Sequence, residues 1–293
     1  MFFVSGVTGQ VGGATARALL ARGHGVRTLA RDPQKAAAWA EQGVDVRPGD
    51  LNRAADVAAA LRGVEGAYVM MPPVNPPSPG YPEAKATAAS LRAALHEAPP
   101  PRLVCLSSIG SEQPHGLGNI TSTHVMEAAL GGFAFPTAFV RAGSFLENYV
   151  FALHTAPASG SFDTFFAPTS RAIPMVATTD IGDEVARLLA GDWSGKRIVE
   201  LGTRYSADDL ARALAEVLGR PVQARSIPRE HWSGALAAMG MKPGTTAPFE
   251  EMEDGFNSGW IDFGVAGTEP VAGTLTPAQV FAQAQAKLKT ADA

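Results

Sequence analysis

A glycine-rich segment close to the N-terminus has the residue types and the spacing needed to bind phosphate groups. Gly6, Gly9 and Gly12 follow a short apolar run with the spacing Gly-x-x-Gly-x-x-Gly, and an alanine-rich stretch comes after them. The first glycine permits a tight turn, the second lets the backbone approach a pyrophosphate, and the third lets a helix pack close to the strand. The N-terminus of that helix would then face the phosphates. We predict a dinucleotide site with contacts from Gly6, Thr8, Gly9, Gln10, Val11 and Gly12.

The residues that follow the second apolar run indicate which dinucleotide would bind. Arg31 and Asp32 stand where the ribose of the adenosine is recognised in such sites. An arginine there can pair with the 2′-phosphate of NADP and stack on adenine, whereas a carboxylate would favour NAD. Asp32 precedes Pro33 and therefore also suits a helix N-cap, and a solvated surface charge is the alternative for Arg31. We predict NADP(H) as the cofactor, with Arg31 reading its 2′-phosphate.

Three further strand ends carry candidate cofactor contacts. Asp50 and Leu51 follow the third apolar run, where a carboxylate can meet the adenine amino group; the alternative is that Asp50 starts a turn. Met70 and Met71 end the fourth run, beside the expected nicotinamide ribose, or are ordinary core residues. Ser107 ends the fifth run, where it would bond the nicotinamide amide or the substrate, or neither.

These residues need a scaffold, and short apolar runs alternate with amphipathic runs through the first half of the chain. The predicted strands are Phe2–Ser5, Val26–Ala30, Val44–Arg47, Ala67–Met71, Leu103–Ser107 and Thr137–Arg141. The predicted helices are Gly12–Ala21, Pro33–Gln42, Arg53–Leu61, Glu83–His96 and Thr123–Leu130. Strands without polar alternation, separated by helices, indicate a parallel sheet covered on both faces. The expected fold class is α/β, a doubly wound parallel-sheet Rossmann fold.

The alternation breaks down after about residue 150. A helix is predicted over Asp180–Leu189, a strand over Arg197–Leu201 and a helix over Ala207–Leu218, with Ser206 and Asp209 spaced as a capping box. We expect residues 1–150 to form the NAD(P)-binding Rossmann domain. Residues 151–293 are expected to form a smaller C-terminal α/β lobe for the substrate, with some segments returning to the Rossmann sheet. The proline-rich stretch Pro72–Pro82 follows the fourth strand and is expected to line the site.

Composition excludes several classes of function. The 293 residues have a net charge of −4 and no basic block or stripe, which argues against nucleic acid as a partner. The six histidines show no ligand spacing, so no metal site is expected. No Gly-x-Ser-x-Gly motif of a hydrolase is present. The single cysteine, Cys105, excludes an internal disulfide and lies in an apolar run, which predicts a buried, inert thiol.

The same data give expectations for location and assembly. The N-terminus has no basic segment and only a four-residue apolar run, too short for a signal peptide. No stretch approaches the ~18 apolar residues of a membrane helix. We expect a cytoplasmic protein with no membrane partner, and a homodimer is left open.

With these residues in view, the chain resembles the NmrA-like group of atypical short-chain dehydrogenase/reductases. The resemblance rests on the Gly-x-Thr-Gly-x-x-Gly turn and extends almost end to end. Its other matches are Val26–Pro33, Gly49–Asn52, Leu106–Ser108, Arg141–Asn148 and the stretch from Gly202 through Arg220-Pro221-Val222. Within the group, the chain looks most like bacterial NADPH-dependent quinone reductases. The resemblance implies a Rossmann domain, a small C-terminal lobe and NADP(H) as ligand.

The chain departs from the standard family pattern at the catalytic residues. Short-chain dehydrogenases use a Tyr-x-x-x-Lys pair, in which the lysine lowers the pKa of the tyrosine. The helix expected to carry the pair, after Ser107-Ser108, contains neither residue. Tyr81 and Lys85 have the spacing but stand one crossover too early, and we interpret them as a coincidence. His124 is the best candidate proton donor, with a helix-terminal histidine partnered by Glu127 as the alternative.

Two hypotheses follow. The first is an NADPH-dependent oxidoreductase that transfers hydride to a quinone or related conjugated carbonyl, since quinones need little acid assistance. The second is a non-enzymatic redox sensor that binds NADP(H) and acts through a protein partner. An epimerase or dehydratase of the extended short-chain group suffers more from the missing tyrosine.

Overall fold

The computed structural model describes residues 1–291, which contain thirteen strands. The strands are β1 (Phe2–Val4), β2 (Val26–Ala30), β3 (Asp45–Pro48), β4 (Gly66–Met70), β5 (Leu103–Ser108), β6 (Thr137–Ala142), β7 (Ser144–Phe145), β8 (Ser161–Thr164), β9 (Ile173–Val176), β10 (Lys196–Leu201), β11 (Thr203–Tyr205), β12 (Gln223–Ser226) and β13 (Glu269–Val271). Eight of them form one sheet in the order β13-β10-β6-β5-β4-β1-β2-β3, and every pairing in it is parallel. The Rossmann fold predicted from the alternation is confirmed.

Eleven α-helices accompany the strands within the described residues. They are α1 (Gln10–Ala21), α2 (Ala37–Ala40), α3 (Ala54–Leu61), α4 (Pro82–Glu97), α5 (Thr121–Leu130), α6 (Ala152–Ser159), α7 (Thr178–Ala190), α8 (Ala207–Leu218), α9 (Trp232–Ala238), α10 (Ala247–Ser258) and α11 (Pro277–Ala291). Short 3₁₀ helices span Pro33–Ala36, Gly118–Ile120, Leu146–Tyr149 and Arg229–His231.

The strands of the large sheet are buried on both faces because successive side chains point to opposite sides. Val4 and Val104 belong to one apolar cluster, together with residues of α1 and α7. Phe3 and Cys105 belong to the other, with residues of α3, α4 and α5. The continuous apolar runs of the sequence therefore serve two cores at once.

A third apolar cluster lies mostly beyond residue 145 and includes Phe162, Leu210 and Phe281. Two small sheets belong to this part of the chain, ordered β11-β9-β7 and β12-β8. The strands β10 and β13 come from the same part but lie in the large sheet. The division of the chain at residue 150 stays a prediction.

The predicted helix over Pro33–Gln42 is wrong as a continuous α-helix. The first turn is 3₁₀, with Lys35 N–H donating to the Asp32 carbonyl, and α2 ends at Ala40. The helix stops because the Trp39 carbonyl accepts from the N–H groups of both Gln42 and Val44. The other predicted elements in the first 141 residues end within two residues of those observed, and Val26–Ala30 matches at both ends.

Candidate functional site

A cleft of about 1170 Å³ lies at the carboxyl ends of β1 to β4. This is the edge of a parallel α/β sheet at which ligands bind, and its volume exceeds that of a usual drug-sized pocket. Residues that line it come from the β1–α1 turn, the end of β2, the turn after β3, the segment from β4 into α4, and the start of α5. The cleft joins the ends of β1 to β4, at which contacts were predicted, whereas Ser107 at the end of β5 is not among its lining residues.

The turn between β1 and α1 has the geometry of a phosphate cradle. Gly6 has φ +67°, a conformation that favours glycine, and the Gly9 N–H donates to the Gly6 carbonyl at 2.9 Å. A Cβ on Gly12 would lie 2.2 Å from the Gly6 oxygen and 2.7 Å from the Ser5 oxygen, so only glycine fits there. Gly6 is therefore favoured by its backbone conformation, and Gly12 is required because a side chain there would overlap the turn.

The N-terminus of α1 is free to face an anion. Gly9 is its N-cap and supplies no side-chain hydrogen bond, and the first turn has no acidic residue. The first N–H groups of a helix have no partner within the helix and carry the positive end of its dipole. Gly6, Thr8 and Gly9 line the cleft, whereas Gln10, Val11 and Gly12 form the first turn behind them, with the Val11 side chain buried. Their contacts with a cofactor stay predictions.

The end of β2 brings two cations to the cleft. Arg31 and Lys35 both line it, both are exposed, and no carboxylate within residues 1–291 pairs with either. Asp32 also lines the cleft, but its Oδ1 accepts from the Gln34 N–H at 3.0 Å and caps the 3₁₀ helix over Pro33–Ala36. Asp32 thus has the N-cap role, and two unpaired positive charges remain at this end.

The turn after β3 supplies a polar wall. Asp50 and Leu51 line the cleft, and their contact with the adenine stays a prediction. Asp50 also organises its own turn, the alternative considered for it, since its Oδ1 accepts from the Asn52 N–H at 2.9 Å. Thr87 of α4 donates to the Asn52 side-chain oxygen at 2.6 Å and joins this turn to α4. The carboxylate of Asp50 is therefore held in place by its own loop.

Two methionines, Met70 and Met71, stand at the end of β4. Both line it, and Met71 is buried while Met70 is partly exposed. The Met70 sulfur would lie 3.4 Å from a Cβ on Gly6, so this side chain packs against the glycine turn. The proline-rich loop that follows contributes Pro72, Pro73 and Pro77 to the wall.

The Tyr81-x-x-x-Lys85 spacing does not bring both side chains to the cleft. Tyr81 lines it and is the N-cap of α4, and its hydroxyl donates to the Gly118 carbonyl at 2.9 Å. Lys85 is exposed and is not among the cleft-lining residues. Helix α5 itself carries neither tyrosine nor lysine.

Ser107, for which a bond to the nicotinamide amide, to the substrate or to neither was expected, bonds another side chain of the protein. Its hydroxyl donates to Glu127 Oε1 at 2.5 Å, and Glu127 also accepts two hydrogen bonds from Arg141, at 2.9 and 2.7 Å. Burial opposes the charge of Arg141, but the bonded Glu127 and nearby Glu112 raise the pKa of the guanidinium. Ser107 is buried and is not among the cleft-lining residues, so it belongs to a buried ion-pair network between β5, α5 and β6.

His124 lies near the cleft rather than in its wall. It stands two residues after Ser122, which lines the cleft, and its Nδ1 lies 2.8 Å from the Ser111 carbonyl oxygen. A carbonyl only accepts, so Nδ1 carries the proton and Nε2 of the neutral ring is an acceptor. His124 can donate a proton from Nε2 only as the doubly protonated imidazolium. Its catalytic role stays a prediction.

Several cleft residues were missed by the sequence reasoning. Lys35 could have been found, because it lies one turn beyond the predicted N-cap Asp32. Asn119 and Ser122 also line the cleft, about 40 residues beyond Tyr81, which lies in the predicted lining stretch Pro72–Pro82, and no local signal marks these two. Within residues 1–291, no group of three or more His, Cys, Asp or Glu side chains could hold a metal ion. In the same residues, no helix combines the length and apolarity needed to cross a bilayer.

Comparison with known proteins gives a consistent picture. The family described as NAD(P)H-binding matches residues 6–145. An NAD(P)H azoreductase of Xenophilus azovorans is 26% identical over 97% of this chain and 96% of its own length. The (4-alkanoyl-5-oxo-2,5-dihydrofuran-3-yl)methyl phosphate reductase of Streptomyces griseus subsp. griseus is 30% identical over 76% of each chain.

A solved structure shares the fold over nearly the whole chain. The NADPH-dependent quinone oxidoreductase of Escherichia coli, crystallised with NADPH, superposes with a TM-score of 0.79 at 22% identity. The match covers 97% of this chain and 99% of that one. The two chains therefore share one overall fold from end to end.

Proposed function

The chain belongs to the NAD(P)H-binding family of NmrA-like atypical short-chain dehydrogenase/reductases, and we propose that it is an NADPH-dependent oxidoreductase that reduces a quinone or related conjugated carbonyl. The observation that carries this proposal is the cleft, which joins a phosphate-binding turn, two unpaired cations and a nearly uncharged far wall. Each part suits one portion of NADPH or its acceptor.

The orientation of the cofactor follows from the order of the strands. Dinucleotides lie across the point where the strand order reverses, here between β1 and β4. Arg31 and Lys35 stand on the β2 side, and this supports a position for the 2′-phosphate and adenine at that end. The nicotinamide would then extend towards β4 and β5. Met70 and Met71 lie along that route.

The residues fit NADPH better than NADH. The 2′-phosphate is a dianion near neutral pH, and an arginine can bind it with two parallel hydrogen bonds. Asp32, the residue that would prefer a free ribose hydroxyl, is occupied as an N-cap. Arg31 and Lys35 are therefore proposed to read the phosphate together.

The far end of the cleft favours an uncharged acceptor. Among the lining residues from Pro72 to Ser122, Glu83 alone carries a charge. The Streptomyces relative is named for a phosphate ester, but this end of the cleft offers no lysine or arginine to hold one. Prolines, Val74 and the Tyr81 ring instead provide an apolar surface for a planar molecule.

The role of the protein in this reaction is to bind and orient. Bound NADPH would supply a hydride from nicotinamide C4. The cleft walls would hold the acceptor against that face and exclude water, which raises the effective concentration of the reacting groups. The product oxygen would take its proton from water or from the imidazolium form of His124.

The test is acceptor-dependent oxidation of NADPH by the purified protein, measured against a panel of quinones, conjugated carbonyls and a phosphorylated conjugated carbonyl. We expect turnover with neutral quinones and little with the phosphorylated compound. NADPH binding without oxidation by any acceptor would contradict the reductase.

That second outcome would favour a redox sensor that binds NADP(H) and changes its affinity for a protein partner. The observation that keeps this candidate is the absence of tyrosine and lysine from α5.

A further inference from the structure

The backbone of Tyr81 has an unusual conformation. Within residues 1–291 it is the only residue other than glycine with positive φ, at φ 56° and ψ 47°. The left-handed region is unfavourable for a residue with a Cβ, and glycine or asparagine normally occupies it. Such strain concentrates at functional sites. A bulky aromatic residue at this position therefore needs a reason that lies in its side chain.

The side chain of Tyr81 lines the cleft and links two of the elements that form it. Its ring packs against the apolar cluster that contains Leu91 and Val69, and its hydroxyl donates to the Gly118 carbonyl at 2.9 Å. Gly118 begins the 3₁₀ helix that leads into α5. The hydrogen bond thus joins the start of α4 to the turn before α5, two elements that both contribute residues to the cleft.

Gly118 is also held from behind by α10. Its N–H donates to Glu251 Oε2 at 3.1 Å. A Cβ at Gly118 would lie 1.7 Å from the Pro248 carbonyl oxygen, so α10 packs directly against this peptide. Tyr81, Gly118 and Glu251 therefore form a continuous chain of contacts from the cleft to the C-terminal part of the protein.

Two residues that follow Gly118 belong to the wall of the cleft. Asn119 and Ser122 both line the cleft, and the Ser122 hydroxyl donates only a long hydrogen bond, 3.3 Å, to the Asn119 carbonyl. Both side chains offer polar groups to a ligand at the end where the acceptor is proposed to bind. Their position depends on where the Gly118 peptide is held.

We infer that Tyr81 is a positioning residue for acceptor binding, acting through Gly118 on Asn119 and Ser122. This inference rests on the proposed reductase function and adds the residue that sets the shape of its acceptor site. The O–H of Tyr81 is used in the hydrogen bond to the Gly118 carbonyl, and the phenol oxygen can then only accept. Tyr81 therefore does not donate a proton to the product while this bond is intact. The strained backbone is retained because it directs the hydroxyl to the Gly118 carbonyl.

The experiment compares Tyr81→Phe with Tyr68→Phe. The first change keeps the ring and its packing but removes the hydroxyl that reaches Gly118. The second removes a buried hydroxyl that has no hydrogen-bond partner, in β4. For Tyr81→Phe we expect the KM for the quinone to rise about three- to tenfold, the range for one hydrogen bond. The kcat should change less than the KM, and the Kd for NADPH should stay within about twofold. Tyr68→Phe should leave all three values unchanged.

Hydrogen exchange of residues 116–122 gives a readout that does not depend on turnover. Tyr81→Phe should speed exchange in this segment, and Tyr68→Phe should not. Unchanged exchange, or an unchanged KM in an active enzyme, would overturn the positioning role. If the wild-type protein reduced no acceptor, the reductase proposal would fail, and the exchange data would still support or overturn the Tyr81 contact.

Discussion

Replacing the two cations at the end of β2 tests how the cofactor is selected. Arg31 and Lys35 have no carboxylate partner, so their truncation to alanine breaks no ion pair within the described residues. A hydrogen bond to a charged group contributes about 1.5–3 kcal/mol, so Arg31→Ala should weaken NADPH binding roughly 10- to 150-fold. Lys35 is a flexible point charge in water. At ~4 Å it would contribute about 1 kcal/mol per unit of phosphate charge, so at most about 2 kcal/mol against a dianion.

The assay is titration of each variant with NADPH and with NADH at low and high salt. Neither substitution should change the Kd for NADH by more than about twofold, and the loss with NADPH should shrink as salt screens the exposed charges. Lys85→Ala is the matched control, because Lys85 is exposed but does not line the cleft. Equal losses for NADPH and NADH would show that these residues do not read the 2′-phosphate.

Three further predictions concern the turn, the buried carboxyl of Glu253 and the thiol. Gly12→Ala should reduce NADPH affinity at least tenfold and lower the Tm, because its Cβ would overlap the Gly6 oxygen. The control is Gly234→Ala, whose Cβ would have no other heavy atom within 4 Å, and it should be neutral or stabilising by about 0.5–1 kcal/mol. Burial and the charge of Asp254 raise the pKa of Glu253 from 4.5 to about 8, so between these pH values the folded state holds a proton that the unfolded state has lost. The free energy of unfolding should therefore fall as the pH rises from 4.5 to 8, and urea titrations of Glu253→Gln should show a smaller fall. Burial raises the pKa of Cys105, so iodoacetamide should label it slowly in the native protein and rapidly in urea, and fast native labelling would contradict its burial.

The elements that could be predicted from the sequence are those with a local cause. The N-terminal boundary of α8 follows from its capping box, in which Ser206 and Asp209 each bond the backbone of the other as predicted. The Asp32 N-cap likewise follows from its place before Pro33. The helix predicted to continue to Gln42 failed because competing hydrogen bonds to Trp39 end it early, and residue preferences do not reveal such bonds.

The residues of the candidate site also divide into those with a local cause in the sequence and those that only tertiary packing brings together. The glycine turn and Arg31 are contiguous with strand ends, so the order of the elements placed them at the cleft. Tyr81 and Gly118 are 37 residues apart, and their hydrogen bond depends on the packing of α4 against α5. Ser107 shows the reverse case, because its expected ligand role did not anticipate Glu127, 20 residues further on, as its partner.

The most direct test is titration of the wild-type protein with NADPH, followed by the same titration of Gly12→Ala. The account predicts saturable binding by the wild type that the substitution largely removes, because the phosphates rest on the backbone of the turn. Absence of wild-type affinity for either nicotinamide dinucleotide, or undiminished binding by Gly12→Ala, would contradict it.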